Sequence, residues 1–364
     1  MAEAEAEAPA SARPVLPRIV RILLGLAIGT AGGLGFHYFR LPLPWMIGAM
    51  VFTTVASAAG LPLAFSFRLR AAMVVVLGVM LGSAFTPDLL DRIAAWAVSI
   101  AIMLGYVLIA TVVVQTYLVR IGGYDRTTAF FAAAPGGLTE MILTGGALGG
   151  DEKLISLSHG IRILLIAIFV SFGFRLFGGY HPTGAGTIGE PLLSIAPLDL
   201  ALLAAAGIAG YFIARPLRLA AGVLLGPMIL SAALHFAGVT ESRPPVELVA
   251  AAQVVLGTSI GARFSGTPRR TIGRALLLSL GATAILLAIT AGFAVPISRL
   301  LALPESQVLL AYSPGGIAEM SLIALSLGVD PAFVSTHHVA RIFMIVTIAA
   351  PAFRLLDRMR PRKP

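Results

Sequence analysis

Glutamate, histidine and arginine recur in two matching sets, separated by 179 residues. In each set a Pro-Gly-Gly triplet precedes a glutamate. A histidine lies nineteen residues after the glutamate, and an arginine lies three residues after the histidine. The first set comprises Gly136, Gly137, Glu140, His159 and Arg162, and the second comprises Gly315, Gly316, Glu319, His338 and Arg341. The histidine and arginine of a set are three residues apart, so they share one face of a helix. Both sets lie in apolar stretches, where ionisable residues are costly and are therefore functional candidates.

The chemistry predicted for these ten residues is the binding of a small solute at a break in a helix. A break at Pro-Gly-Gly exposes backbone N–H groups and the positive dipole end of a half-helix, which attract an anion. Arg162 and Arg341 would add positive charge, and Glu140 and Glu319 could carry coupling protons. Recurrence of the break with the same polar residues at one offset favours the substrate site of a secondary transporter.

Other interpretations of these residues remain open. In one, each glutamate forms an ion pair with an arginine across the repeat and only pins the broken segment to a neighbouring helix. In another, Glu140, His159, Glu319 and His338 bind iron or copper in a membrane metalloenzyme. The nearby guanidinium groups and the lack of a helical Glu-x-x-His pair weigh against this metal site. A channel or a regulatory membrane protein is the remaining alternative.

The other histidines and the cysteine count add no second site. His337 aligns with Ser158 in the first set, and His37, His181 and His235 lie near the ends of apolar segments, so we assign them no role. The absence of cysteine excludes disulfides, iron–sulfur clusters, thiolate zinc sites and cysteine nucleophiles. The sequence contains no P-loop, so an ion gradient would have to supply the energy, and no cofactor is predicted.

The elements that must position these residues are membrane helices. Of the 364 residues, 58% are hydrophobic and 12% are charged, and the mean hydropathy is +0.93. A soluble domain has roughly 25% charged residues, so this chain is not a soluble globular protein. At roughly 20 residues a crossing, it can cross a bilayer ten to twelve times. The net charge of +9 comes from basic residues in loops and tails, which does not indicate a nucleic-acid partner.

The two sets belong to an internal duplication. Between residues 135–177 and 314–356, 17 of 43 aligned positions are identical. At the same offset, Gly78 and Gly82 of LGVMLGSAF match Gly257 and Gly261 of LGTSIGARF. We expect these glycines to be positions of close helix packing. The predicted domains are a membrane repeat over 19–178 and a second membrane repeat over 197–356.

Each repeat contains six apolar segments. They are 19–39, 43–60, 71–86, 93–119, 127–150 and 154–178, then 197–214, 219–238, 247–265, 272–300, 304–328 and 332–356. If the Pro-Gly-Gly segments enter and leave on one side, 19 Lys and Arg lie inside and 5 outside, whereas twelve full crossings give 15 and 9. The positive-inside rule favours the first partition. The predicted fold is an all-α polytopic membrane protein of two inverted repeats, with about ten crossings and two broken, re-entrant hairpins.

The remaining segments and the charge pattern predict the location. Residues 1–18 are predicted to be a disordered cytoplasmic tail, 179–196 an external linker, and 357–364 a basic cytoplasmic tail. Arg13, Arg18 and Arg21 should keep the N-terminus inside. We therefore expect a multi-pass protein of the inner membrane with both termini cytoplasmic. Its predicted partners are the lipid bilayer, a small-molecule solute and a coupling proton or cation, and homo-oligomer formation is left open.

Three pairs of motifs resemble those of a known family. PWMIGAM with LLGPM, LGVMLG with LGTSIG, and APGGLTEM with SPGGIAEM are similar to motifs of the AbrB family of duplicated bacterial inner-membrane proteins. The resemblance extends from about Arg18 to Leu356, although PWMIGAM lacks the Gly-Pro of LLGPM. Members of this family are often labelled as transporters or as ammonia monooxygenases, and the second label implies a copper or iron site.

The function predicted from these observations is secondary transport of a small polar or anionic solute, driven by an ion gradient. The site would lie centrally, at the interface of the two repeats. A membrane metalloenzyme and a regulatory membrane protein are the alternatives, and we expect a transporter rather than an enzyme.

Overall fold

The computed structural model describes residues 16–177, 189–217 and 221–358, and the protein is an all-α polytopic membrane protein. Most of the predicted tails 1–18 and 357–364, and part of the linker 179–196, lie outside the described residues. The helices in the described part are α1 Arg18–Tyr38, α2 Pro44–Ala58, α3 Phe67–Gly82, α4 Ile93–Arg120, α5 Arg126–Ala133, α6 Leu138–Ala147, α7 Glu152–Phe177, α8 Pro197–Ala214, α9 Gly222–Phe236, α10 Val246–Gly261, α11 Arg269–Leu301, α12 Glu305–Tyr312, α13 Ile317–Ser326 and α14 Pro331–Arg358. Seven of these helices are long and apolar enough to cross a membrane, and α2, α9 and α13 are shorter apolar helices.

The helices occur where the apolar segments predicted them. The largest displacement of a helix start is that of α3, which begins at Phe67 rather than at residue 71. The side chain of Ser66 accepts a hydrogen bond from the backbone N–H of Leu69 at 3.3 Å, and this cap starts the helix before the apolar run begins. Arg68 and Arg70 therefore belong to the first turn of a helix, although hydropathy alone places them in a loop.

The helices form two groups, which we call the panel and the core. In the panel, α1, α2, α10, α3, α9 and α8 contact one another in that order. The core contains α4, α7, α11 and α14, together with the two broken segments α5/α6 and α12/α13. The panel meets the core where α3 contacts α13 and α14, and where α2 and α10 contact α7. Each group contains helices of both repeats, so neither repeat forms a separate body.

Glycines bring the panel helices close together, as the sequence predicted. Gly78 of α3 lies against the backbone carbonyl of Leu224 in α9, and Gly82 lies against that of Met228 one turn later. A Cβ atom at either glycine would overlap the facing backbone. Because both numbers increase along the contact, α3 and α9 run in the same direction.

Each Pro-Gly-Gly segment divides into two short helices, so the predicted breaks are confirmed. α5 ends at Ala133 and α6 begins at Leu138. The chain folds back at this break, because the backbone N–H of Asp151, just before α7, donates to the hydroxyl of Thr128 in the first turn of α5 at 2.8 Å. The segment therefore enters and leaves at the same end of the core. α12 and α13 are separated at the equivalent residues 313–316.

Candidate functional site

A partly open cavity of about 390 Å³ lies where the two breaks meet the panel. Its walls are formed by both breaks and by α3, α7, α9, α10 and α14. Eight of the ten residues predicted from the sequence line it: Gly136, Gly137, Glu140, Arg162, Gly315, Gly316, Glu319 and Arg341. His159 and His338 do not line the cavity and lie behind the two arginines.

Arg162 binds the end of the first half-helix. Its side chain is 5% exposed, and Nη1 donates to the carbonyl oxygens of residues 132–134, each at 3.3 Å. These carbonyls lie at the C-terminus of α5, where no further helical N–H group is available to bind them. A positive charge also stabilises this end of a helix dipole. Arg162 therefore caps the broken helix from α7.

Arg341 makes the equivalent contacts in the second repeat. Its side chain is 2% exposed, Nη1 donates to the carbonyl of Ser313 at 2.7 Å, and Nη2 donates to that of Gly315 at 2.9 Å. These residues belong to the break that follows α12. Removal of either arginine would leave buried carbonyl groups without a donor.

His159 and His338 hold the two arginines in place. The Nε2 atoms of His159 and His338 face the carbonyls of Phe131 at 2.8 Å and Leu310 at 3.0 Å. A carbonyl can only accept, so Nε2 carries the hydrogen, and Nδ1 accepts from the neighbouring arginine at 2.9 Å in each repeat. Neither ring keeps a nitrogen free for a metal.

The donors in the described part of the chain do not fit the copper or iron site of the metalloenzyme alternative. No group of three or more histidine, cysteine, aspartate or glutamate side chains comes together there. Both candidate histidines use their two nitrogens for structural hydrogen bonds. The two histidines are therefore not available as metal ligands.

Glu140 and Glu319 do not pair with the arginines. Among the described residues, the ion pair within 4.0 Å joins Arg92 and Asp330 at 3.9 Å, away from the cavity. Each glutamate is the third residue of a half-helix, and the Glu140 carboxylate lies over Gly137, the residue before α6. Glu319 lies over the equivalent glycine of the second break. The interpretation of Glu–Arg pinning is therefore wrong, because the arginines hold the breaks through carbonyl groups.

Two further arginines, which were not predicted from the sequence as site residues, also line the cavity. Arg70 is in the first turn of α3, and Arg263 is in the short 3₁₀ turn after α10, 5.4 Å from the ring centre of Phe65. At the repeat offset their counterparts are Val249 and Ala84. Neither arginine is repeated, so the internal duplication gives no signal for them.

A buried polar network beside the second break was also missed. Tyr312 donates from its hydroxyl to the backbone carbonyl of Ser99 at 2.6 Å, and the Ser99 hydroxyl donates to Nε2 of His337 at 2.9 Å. The Nδ1 atom of His337 donates to the carbonyl of Phe333 at 2.8 Å. The network connects α12 and α14 to α4. His337 therefore has a structural contact, although its counterpart in the first repeat is a serine.

The comparisons with known proteins cover most of this chain. The family model described as "Transition state regulatory protein AbrB" matches residues 45–357. The chain belongs to the AbrB family. It is 27% identical over 343 residues to "Putative regulator AbrB" of Escherichia coli K12, covering 91% of this chain and 94% of that protein. It is 25% identical over 366 residues to "Uncharacterized protein YhjN" of Bacillus subtilis 168, covering 95% of each chain. The resemblance inferred from the paired motifs is confirmed, and the matched region contains both breaks.

Proposed function

We propose that this AbrB-family protein is a secondary transporter of a small anionic solute, driven by an ion gradient. The observation that carries the proposal is the state of Arg162 and Arg341. Both guanidinium groups are buried, both line the same cavity, and neither Nε atom has a hydrogen-bond partner. A buried positive charge without a counter-charge is costly. A carboxylate or sulfonate in the cavity would supply the missing counter-charge.

The half-helices strengthen the attraction for an anion. α6 and α13 both begin at the cavity, and neither has a side-chain cap at its N-terminus. Glu140 and Glu319 lie in the first turns of these helices and are the nearest negative charges to the dipole ends. Protonation of either glutamate would remove the negative charge at the N-terminus of its half-helix and let an anionic solute bind there. Binding of the solute would then be coupled to binding of a proton.

The orientation of the panel helices supports two inverted repeats. Arg70 and Val74 at the start of α3 line the cavity together with Ile260 and Arg263 at the end of α10. α3 and α10 are equivalent at the repeat offset of 179. Equivalent helices therefore run in opposite directions. This relation agrees with five crossings in each repeat. With that topology, the positive-inside rule puts Arg70 and Arg263 on the cytoplasmic side, so the cavity faces the cytoplasm.

Thiol labelling tests this topology, because the natural chain has no cysteine. In the proposed arrangement of the inner membrane, Arg120→Cys and Lys153→Cys react with an impermeant reagent from the cytoplasmic face. Arg299→Cys and Asp330→Cys react from the opposite face. Accessibility of positions 120 and 153 from opposite faces would contradict the inverted repeats.

Binding and uptake measurements test the function. The detergent-purified protein should be stabilised by small carboxylates or sulfonates and not by amines or ammonium, because a ligand at 100 times its Kd adds about 2.7 kcal/mol of stability. An anion that binds should then accumulate in proteoliposomes under a proton gradient. Binding without uptake would favour a regulatory membrane protein instead.

A matched pair of variants connects the binding to the cavity. Arg162→Lys keeps the positive charge but loses the planar fork that matches a carboxylate, so it should weaken anion binding about tenfold or more, which is about 1.4 kcal/mol. Arg68→Lys changes an exposed arginine of α3 that does not line the cavity, and it should leave binding unchanged. Equal effects of the two variants would contradict the site.

A further inference from the structure

The four arginines of the cavity lie at two depths. Arg162 and Arg341 are each the eleventh residue of a long helix, α7 or α14. Arg70 is the fourth residue of α3, and Arg263 lies just after the end of α10. We call Arg162 and Arg341 the inner pair, and Arg70 and Arg263 the outer pair. The inner pair belongs to the core and the outer pair belongs to the panel.

The outer pair also lacks a negative partner. Neither Arg70 nor Arg263 forms an ion pair within 4.0 Å with any of the described residues. The Nε atom of each side chain is enclosed and has no hydrogen-bond partner, as in the inner pair. Both side chains are partly exposed, so the outer pair lies at the open part of the cavity. Two separate pairs of guanidinium groups therefore line the cavity without an anionic partner among the described residues.

The charges that line the cavity do not balance. The lining contains four arginines and two glutamates, and no other charged residue of the described part contributes to it. Arginine stays charged in proteins, so the cavity has an excess of at least two positive charges, and protonation of a glutamate increases this excess. A monoanion would still leave an excess of at least one positive charge in the cavity.

We propose that the solute is a small dianion whose two anionic groups are separated, such as a dicarboxylate. This inference rests on the proposed function and specifies its substrate class. One carboxylate binds the inner pair and the other binds the outer pair, so that two negative charges offset an excess of at least two positive charges. A cavity of about 390 Å³ accommodates such a molecule. Planar guanidinium groups suit carboxylates at both ends.

Isothermal titration of the full-length, detergent-purified protein tests the proposal with defined probes. Butyrate and succinate have the same number of carbons and differ by one carboxylate, while malonate and glutarate vary the separation. We expect succinate or one of its two neighbours in length to bind at least tenfold more tightly than butyrate. High salt should reduce this preference, because the outer pair is partly exposed.

Variants of the outer pair show whether the second carboxylate binds there. Arg70→Gln and Arg263→Gln should each remove most of the preference for the dianion and change butyrate binding by less than about twofold. Arg68→Gln removes a charge from the same turn of α3 outside the cavity, and it should preserve the preference. If Arg263→Gln fails to fold because it loses its contact with Phe65, Arg70→Gln carries the same test.

The outcomes separate this inference from the proposed function. Equal affinity for butyrate and the dicarboxylates would overturn the proposal of a dianionic solute, whereas the proposal of an anion transporter would stand. Equal weakening of butyrate and succinate by Arg70→Gln would also overturn it, because the outer pair would then serve any anion. If no anion binds to the folded protein, both proposals fail.

Discussion

The two breaks share one motif but differ in how tightly they are held. Glu140 at the first break is half-buried, whereas Glu319 at the second is 6% exposed. Arg162 donates to three carbonyls at 3.3 Å, whereas Arg341 makes shorter bonds of 2.7 and 2.9 Å. A duplicated motif therefore does not give two equivalent sites. The first break is the more open half of the cavity, and the second is the more firmly bound.

The cause lies outside the motif. Tyr312 and His337 connect the second break to Ser99 of α4, and their counterparts in the first repeat are Ala133 and Ser158. The first break therefore lacks the equivalent attachment. The half-helices differ as well, because α6 contains two glycines where α13 contains alanine and leucine. Each interior glycine weakens a helix by roughly 0.5–1 kcal/mol relative to alanine.

Removal of the arginines should show the largest difference between the breaks. Arg341→Gln leaves the carbonyls of Ser313 and Gly315 unpaired, and a hydrogen bond to a charged group contributes roughly 1.5–3 kcal/mol. We expect it to lower the free energy of unfolding by about 3 kcal/mol, and Arg162→Gln to lower it by about half as much, because its bonds are longer. Thermal unfolding in detergent measures both. A larger loss for Arg162→Gln would reverse the comparison.

Loss of the tyrosine hydroxyl should have a smaller effect. Tyr312→Phe removes the hydrogen bond to the carbonyl of Ser99 and should lower the free energy of unfolding by about 1 kcal/mol. Tyr38→Phe is the matched control, since Tyr38 is 81% exposed and should leave stability unchanged. Unchanged stability of Tyr312→Phe would show that the polar network does not hold the second break.

Neutralisation of the glutamates should have the smallest effect on stability. Glu140→Gln and Glu319→Gln keep the shape of the side chain and remove the negative charge at a half-helix N-terminus, which costs roughly 0.3–1 kcal/mol. Glu140 is the more accessible, so Glu140→Gln should alter the pH dependence of uptake more than Glu319→Gln, with solute binding less affected. Measurements of solute uptake at several pH values compare the two variants. Identical pH profiles for both variants and the natural protein would exclude the glutamates as proton carriers.

The sequence predicted the helices, the breaks and the eight cavity residues, because hydropathy and internal repetition leave direct signals. It did not predict the contacts of the arginines, since hydrogen bonds to backbone carbonyls leave no pattern in the side chains. Arg70 and Arg263 resembled loop charges because they lie at helix ends. His337 was set aside because its counterpart is Ser158, and yet this difference is part of what separates the two breaks.

The proposed transport requires the cavity to open to each face of the membrane in turn, and a single cysteine in the cavity tests this requirement. Thr139 is exposed and lines the cavity at the first break. In membranes that contain the protein, Thr139→Cys should react with an impermeant thiol reagent from both faces if the proposed transport takes place. Arg68→Cys is the control, and it should react from one face alone, which is the cytoplasmic face in the proposed topology. Reaction of Thr139→Cys from one face only, with or without succinate and a proton gradient, would contradict transport.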